Sequence, residues 1–276
     1  MYFGSHVSIR NGYHQAAKTA YNLGATAFQF FPKNPRSLTV KDFDKEDASS
    51  CASFCSVNSI LSIFHTPYPT KLIPDNREME TQIIRSLVND LEIAEACGSI
   101  GVVVHFGTTK KLDSIAGYTK MIDMLNNVLS QWDGNAQLLI ENNAGTGSDM
   151  GITLEEMVHV RKLTDYPEKI GFCLDTCHAY ASGIWNGENW SELELKGIEL
   201  DYFPHLKAIH FNNSKYPSGS RKDRHANLLS GHITEDQLKQ LLNSNILSTI
   251  PFVLETPKNE GISHQEEIEW LKQRSK

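Results

Sequence analysis

Apolar and polar positions along the chain alternate between two periods. Short apolar runs of strand length recur at Tyr2 to Ile9, Thr26 to Phe31, Ile60 to His65, Gly101 to His105, Gln137 to Glu141, Ile170 to Asp175, Leu206 to Phe211 and Ile250 to Glu255. Between them lie segments with helical spacing: Gly12 to Leu23, Val40 to Asn58, Arg77 to Cys97, Leu112 to Trp132, Thr153 to Leu163, Trp190 to Leu200, Thr234 to Asn243 and Ser263 to Arg274. Thr153 with Glu156, and Thr234 with Gln237, have capping-box spacing and mark two helix starts. Strands that alternate with helices along a whole chain imply parallel strands joined by crossovers. Eight such units in 276 residues predict closure into a (β/α)8 TIM barrel, with residues 1–276 forming a single domain.

A barrel of this kind carries its active site at the carboxyl ends of the strands. His65, His105, Glu141, Asp175, His210 and Glu255 each stand at or next to the end of a predicted strand. Two loops add His178 after the sixth strand and Asp223 and His225 after the seventh. Taken singly, Asp175 reads as a helix cap, His178 as a core histidine and Asp-Arg-His as a solvated loop. Together, five histidines and four carboxylates at one mouth are tolerable only with bound cations. They exceed the needs of one four-coordinate ion and suit two or three ions sharing a bridging carboxylate. Mixed nitrogen and oxygen ligation without cysteine favours Zn2+, with Mn2+ as the alternative at an oxygen-rich position. Clustered divalent ions suit phosphodiester hydrolysis, because they activate water and clamp the entering and leaving oxygens.

Composition changes this picture little. The five cysteines, without a CxxC pair, read as small buried hydrophobes of a protein in a reducing compartment. No run is long enough to span a membrane and the N-terminus lacks a signal-peptide plan, so a cytoplasmic protein is expected. A net charge of −7 opposes nucleic-acid binding at first sight, but three bound divalent ions would cancel most of it.

The motifs FPKNPR, FHTPY, VVVHFG, IENNAGTG, CLDTCHAYASG, IHFNNSK, SRKDRH and LETP occur in this order. In order and spacing they resemble the endonuclease IV family of apurinic/apyrimidinic endonucleases. The resemblance implies a (β/α)8 barrel with three zinc ions per chain. Its implied activity is cleavage of double-stranded DNA 5′ to an abasic site, leaving a 3′-hydroxyl and a 5′-deoxyribose phosphate, with trimming of blocked 3′ ends. Carried over by motif, His65 and His105 hold one zinc with Glu141 bridging to a second, which Asp175, His210 and Glu255 complete. His178, Asp223 and His225 hold the third, and Glu141 is the catalytic carboxylate. The family inserts side chains from the loops after the second and third strands into the DNA, where this chain has Arg36 and Tyr68.

Lys33, Lys71, Lys215, Arg221, Lys222 and Arg224 are further loop cations expected to face DNA phosphates. Four positions depart from the family pattern: Pro69 after Tyr68, Asn213 in place of an aspartate expected to bear on His210, Thr146 in the AGTG turn, and Leu229 after DRH. His6 is either a support for the site or an ordinary buried histidine, and His14, His159, His205, His232 and His264 read as surface or packing. Two other classes remain open: a metal-dependent sugar isomerase or epimerase using Glu141, Asp175, His210 and Glu255 alone, or an inactive damage-binding module. A monomer is expected.

Overall fold

The computed structural model describes residues 1–109, 113–258 and 261–275. Eight parallel strands close into a barrel: β1 (Tyr2–His6), β2 (Ala27–Phe30), β3 (Leu61–His65), β4 (Gly101–His105), β5 (Gln137–Glu141), β6 (Ile170–Asp175), β7 (Leu206–His210) and β10 (Pro251–Leu254). Each of the eight predicted strands is present, with ends trimmed by up to three residues. Helices α1 (Tyr13–Asn22), α2 (Lys45–Asn58), α3 (Arg77–Ala96), α4 (Ser114–Leu129), α5 (Leu154–Leu163), α7 (Trp190–Glu199) and α8 (Glu235–Leu242) form the crossovers, and α9 (His264–Arg274) follows β10. The helix expected from Val40 begins only at Lys45, because Asp44 caps it by accepting from the backbone N–H groups of Glu46 and Asp47. Leu112, the expected start of α4, lies outside the described residues, and Asp113 caps that helix. Both predicted capping boxes form, and Ser263 with Glu266 adds a third on α9.

Two elements escaped the periodicity. The short helix α6 (Thr176–Ser182) follows β6 directly, with Asp175 as its cap and Gly183 ending it in the left-handed conformation at φ 87°. A two-stranded antiparallel ribbon, β8 (Asn213–Ser214) with β9 (His225–Ala226), lies between β7 and α8. Both are too short to impose a detectable apolar period.

Ala27, Ile63, Val103, Leu139, Cys173, Ala208 and Val253, one from each of β2 to β7 and β10, form a separate buried apolar cluster, the layer inside the barrel. Residues flanking them in sequence, such as Phe28, Phe64, Val102, Val104, Leu138, Ile140 and Phe172, belong to the larger cluster beneath the helices. This is the period-two alternation of a strand buried on both faces. Gly4 permits close approach of β1 and β2, since a Cβ there would fall 1.5 Å from the Ala27 carbonyl oxygen.

The loop after β2 is tied to α3 by a buried ion pair. Lys33 Nζ lies 2.9 Å from Asp90 Oδ1 and donates to the Ser86 carbonyl at 2.9 Å, one helical turn away. Asn89, between them in sequence, accepts from the Lys41 backbone N–H at 2.8 Å and donates to the Lys41 carbonyl. Lys33 is therefore a structural residue, and its expected role on DNA is withdrawn: a side chain this deeply buried cannot reach phosphate. Burial pushes the Asp90 carboxyl up to about 7 even beside Lys33.

Replacing Lys33 by Met should cost about 3–5 kcal/mol, because Asp90 would keep its burial and lose its partner. A raised carboxyl pKa favours the folded state below the unfolded value near 4 and loses that advantage as pH rises. The penalty, read from the urea midpoint, should therefore be larger at pH 8 than at pH 5. Adding Asp90→Leu should recover most of it.

Candidate metal centre

Two residues above the apolar layer, the period-two repeat sets Gln29, His65, His105, Glu141, Asp175, His210 and Glu255 around the mouth. Six of the nine expected metal-binding residues belong to this ring. His178 joins from α6, while Asp223 and His225 come from the strap leading into β9, which the ribbon with β8 holds against the mouth.

Three groups made only of histidines and carboxylates have ligand atoms mutually within 4.8 Å: His65, His105 and Glu141; Glu141, Asp175, His210 and Glu255; and His178, Asp223 and His225. Glu141 belongs to two of them. Its Oε2 lies 3.3 Å from His105 Nε2 and 3.7 Å from His65 Nε2. Asp223 Oδ1 lies 3.3 Å from His178 Nε2 and 3.5 Å from His225 Nε2. His210 Nδ1 is 3.2 Å from Glu255 Oε2. Ligands at about 2.1 Å around a tetrahedral cation stand roughly 3.4 Å from each other, so these spacings fit a shared ion. Buried Glu141 Oε2 and His225 Nε2 also lack a hydrogen-bond partner among the described residues. Unsatisfied lone pairs aimed into a cluster are what a cation would occupy.

Backbone and amide contacts orient the ring. His65 Nδ1 pairs with the Thr66 carbonyl and His178 Nδ1 with the Asn142 carbonyl, both at 2.8 Å. Asp175 Oδ1 accepts from the His178 backbone N–H at 2.7 Å, so it caps α6, while Oδ2 accepts from Asn212 Nδ2 at 2.8 Å. The capping and cluster readings of Asp175 are thus both satisfied, by different oxygens. Asn142 Oδ1 accepts from the Asp175 N–H, and Asn212 Oδ1 from the Glu255 N–H.

Burial would raise the Glu141 carboxyl, but His210, His65 and His105 hold it well below the usual range. Glu255, against the same burial, is brought to about 2 chiefly by His210. Burial disfavours protonated His178 and His210, yet the facing carboxylates raise both well above the usual histidine value. His105 goes the other way, to about 4, because burial dominates. The facing carboxylates thus favour the protonated form of His178 and His210.

All five cysteines are buried free thiols. Cys173 approaches Glu141 and His210, and Cys177 approaches Asp175 and His225. Burial raises both thiols, Cys173 to about 12, which disfavours the thiolate a metal needs.

The mouth opens into a cavity of about 350 Å3 lined by His6, Phe31, His65, Tyr68, Glu255 and Lys258 among others. Tyr68, His105, His178 and Asp223 divide it from a neighbouring cavity of about 610 Å3 that reaches Lys71, Lys120 and Thr146. Tyr68 is 66% exposed even beside Pro69, and its backbone N–H donates to the Pro35 carbonyl at 2.8 Å, setting the Arg36 and Tyr68 loops side by side. Arg221, at φ 55°, has its Nη1 2.6 Å from Asp149 Oδ1, and its carbonyl accepts from Thr146 at 3.0 Å. Arg224 Nη1 donates to the Asp223 carbonyl at 2.7 Å, and the Lys215 N–H donates to the Arg224 carbonyl. Lys71 pairs with Asp75 at 3.2 Å, and Lys222 stacks on Tyr216. Arg221 and Arg224 therefore contribute to holding the strap as well as presenting positive charge.

Asn213 does not bear on His210. Its side chain donates to the Leu228 and Ile233 carbonyls and accepts from the Ser214 and Ile233 N–H groups, fastening the chain beyond β9. Leu229 is exposed on that same segment. His6 supports the site: its Nδ1 pairs with Gln29 Nε2 at 3.2 Å. His264 packs, pairing through Nε2 with the Thr256 carbonyl.

Gln29, Asn142 and Asn212 were missed by sequence reasoning. The two asparagines adjoin or follow recognised residues, and Gln29 interrupts the apolar run AFQF, the polar-in-strand signal that could have revealed it.

The profile of xylose isomerase-like TIM barrels matches residues 17–274. A probable endonuclease 4 of Symbiobacterium thermophilum is 40% identical over 99% of both chains. Another, from Akkermansia muciniphila, is 33% identical over 99% of this chain and 98% of its own. The crystal structure of endonuclease IV from Thermus thermophilus superposes with a TM-score of 0.85 at 30% identity, covering 99% of this chain and 97% of the other.

Cation binding requires unprotonated imidazole nitrogens, so uptake of Zn2+ at pH 7 should release protons, and affinity should rise with pH through the range where His178 and His210 lose theirs. A dye-monitored titration in weak buffer measures the release. Uptake without proton release would contradict this electrostatic balance.

Proposed function

The chain belongs to the endonuclease IV family, and on that premise we propose that it is a zinc-dependent DNA-repair phosphodiesterase acting as a single monomeric domain. Its substrate is double-stranded DNA with an abasic site or a blocked 3′ end. Hydrolysis 5′ to the abasic nucleotide leaves a 3′-hydroxyl and a 5′-deoxyribose phosphate. The observation that carries this reading is the set of three neighbouring ligand groups, two of them joined through Glu141, at the mouth of the barrel.

His65 and His105 with Glu141 would hold one zinc. Glu141, Asp175, His210 and Glu255 would hold a second, and His178, Asp223 and His225 a third. When bound, zinc supplies Lewis acidity that makes water nucleophilic near neutrality and offsets charge building on the phosphate. Glu141 holds the first two groups together and, kept ionised by His210 and His65, accepts a hydrogen bond that orients the attacking water. Arg36 and Tyr68, on loops joined by the Tyr68–Pro35 bond, enter the stack where the missing base leaves a gap. Extrusion of an abasic nucleotide forfeits no base pairing, so it costs less than extrusion of an intact one. Phe31 and Tyr68, 5.2 Å apart between ring centroids, wall the cavity that receives the sugar. Lys215, Arg221 and Arg224 add positive charge beside the strand.

Glu141→Gln should lower incision of a duplex containing one synthetic abasic site by more than about 100-fold, since even the partners behind metal ligands are worth 10–100-fold. Prolonged chelation of the unaltered protein should abolish the same cut, and added Zn2+ should restore it. Uncut duplex in the presence of bound zinc would overturn the reading, whereas one Mn2+ or Mg2+ per chain would favour the isomerase class.

Asp175→Ala should disturb the pair joined by Glu141, whereas His178→Ala should chiefly empty the third position. Metal analysis of the two variants checks this. Loss of the same single ion from both would refute the division.

A further inference from the structure

We propose that Gln29 is a positioning residue that assigns the two nitrogens of His210, giving Nε2 to the protein and Nδ1 to the metal, and that locks His210 and Glu255 into one unit. The inference rests on the reading of Glu141, Asp175, His210 and Glu255 as one metal position.

Gln29 is fully buried on β2, next to β1 and β3 and across the barrel mouth from His210 on β7. Its Nε2 lies 2.6 Å from Glu255 Oε1 and 3.2 Å from His6 Nδ1, while its Oε1 lies 2.7 Å from His210 Nε2. Glu255 as a carboxylate only accepts, so the nearer amide atom must be the NH2 group. The reversed amide would set two acceptor oxygens at hydrogen-bond distance from each other. The amide oxygen therefore faces His210, and Nε2 of that ring must carry the proton. Nδ1 faces Glu141 Oε1 at 2.6 Å, Glu255 Oε2 at 3.2 Å and Asp175 Oδ2 at 4.0 Å, so it is the nitrogen that would exchange its proton for a cation.

Three other rings show the opposite arrangement. His65, His178 and His225 direct Nδ1 at the backbone carbonyls of Thr66, Asn142 and Glu255, at 2.8, 2.8 and 3.4 Å, and turn Nε2 toward the cluster. Those three are oriented by main chain, which substitution cannot remove. His210 is inverted and depends on a side chain from another strand. Partners behind metal ligands set ring orientation and basicity, so this one amide controls two ligands at once.

In isotope-labelled, zinc-loaded protein, long-range proton–nitrogen correlation of the His210 ring should show a protonated Nε2 and a metal-bound Nδ1. The reverse pattern would overturn the proposal, and this measurement needs no variant. Gln29→Met, of similar volume without the hydrogen bonds, should weaken one of the zinc ions about 10–100-fold in chelator competition and leave the others unchanged. Gln29→Glu, which sets a second carboxylate against Glu255, should weaken it further. Incision by folded Gln29→Met should fall in kcat with KM for DNA unchanged. Unaltered zinc retention in folded Gln29→Met would refute the role. Zinc uptake without incision by the unaltered protein would overturn the proposed function and leave the Gln29 assignment standing, whereas no uptake at all would overturn both.

Discussion

The mouth of this barrel gathers more buried ionisable groups than a folded protein can hold without counterions. Asp175 and His210 are inaccessible to solvent and Glu141 nearly so, yet Glu141 Oε2 has no hydrogen-bond partner among the described residues. Uncompensated, each such group would cost several kcal/mol. The carboxylates favour protons on His178 and His210, which offset part of this cost, and divalent ions at the same spacing would offset more of it. Much else in the structure can be read as a means of keeping these groups in place.

Three amides do most of that holding. Asn142 brackets the backbone N–H and carbonyl of Asp175, Asn212 joins the Asp175 carboxylate to the Glu255 N–H, and Gln29 joins His6, His210 and Glu255. An amide suits this task because it offers a donor and an acceptor without adding charge. The negative cluster is therefore connected around its rim without becoming more negative.

The surrounding loops are held by similar means. Lys33 anchors the segment that presents Arg36 to α3, and Asn213 ties the chain past β9 back to the ribbon. Arg221 bridges to the loop after β5 through Asp149 and Thr146. Two of the residues that sequence reading assigned to DNA or to His210, Lys33 and Asn213, proved to be framework. Polar side chains on loops serve either purpose, and only their neighbours distinguish the two.

The sequence by itself determined the barrel, because eight apolar runs separated by amphipathic helices leave few other ways to bury both faces of parallel strands. It also marked the mouth residues, since ionisable groups ending apolar strands violate the pattern that surrounds them. Gln29 was within reach of the same rule: it stands two residues after the core position Ala27, as His65 does after Ile63. Its neutral side chain raised no electrostatic alarm, so it passed as part of the strand. The α6 helix, the β8–β9 ribbon, the burial of Lys33 and the inverted ring of His210 were decided only in three dimensions. The last two depend on partners far along the chain, 57 residues for Lys33 and Asp90 and 181 for Gln29 and His210, and local periodicity carries no record of such pairs, while α6 and the ribbon are too short to show a period of their own.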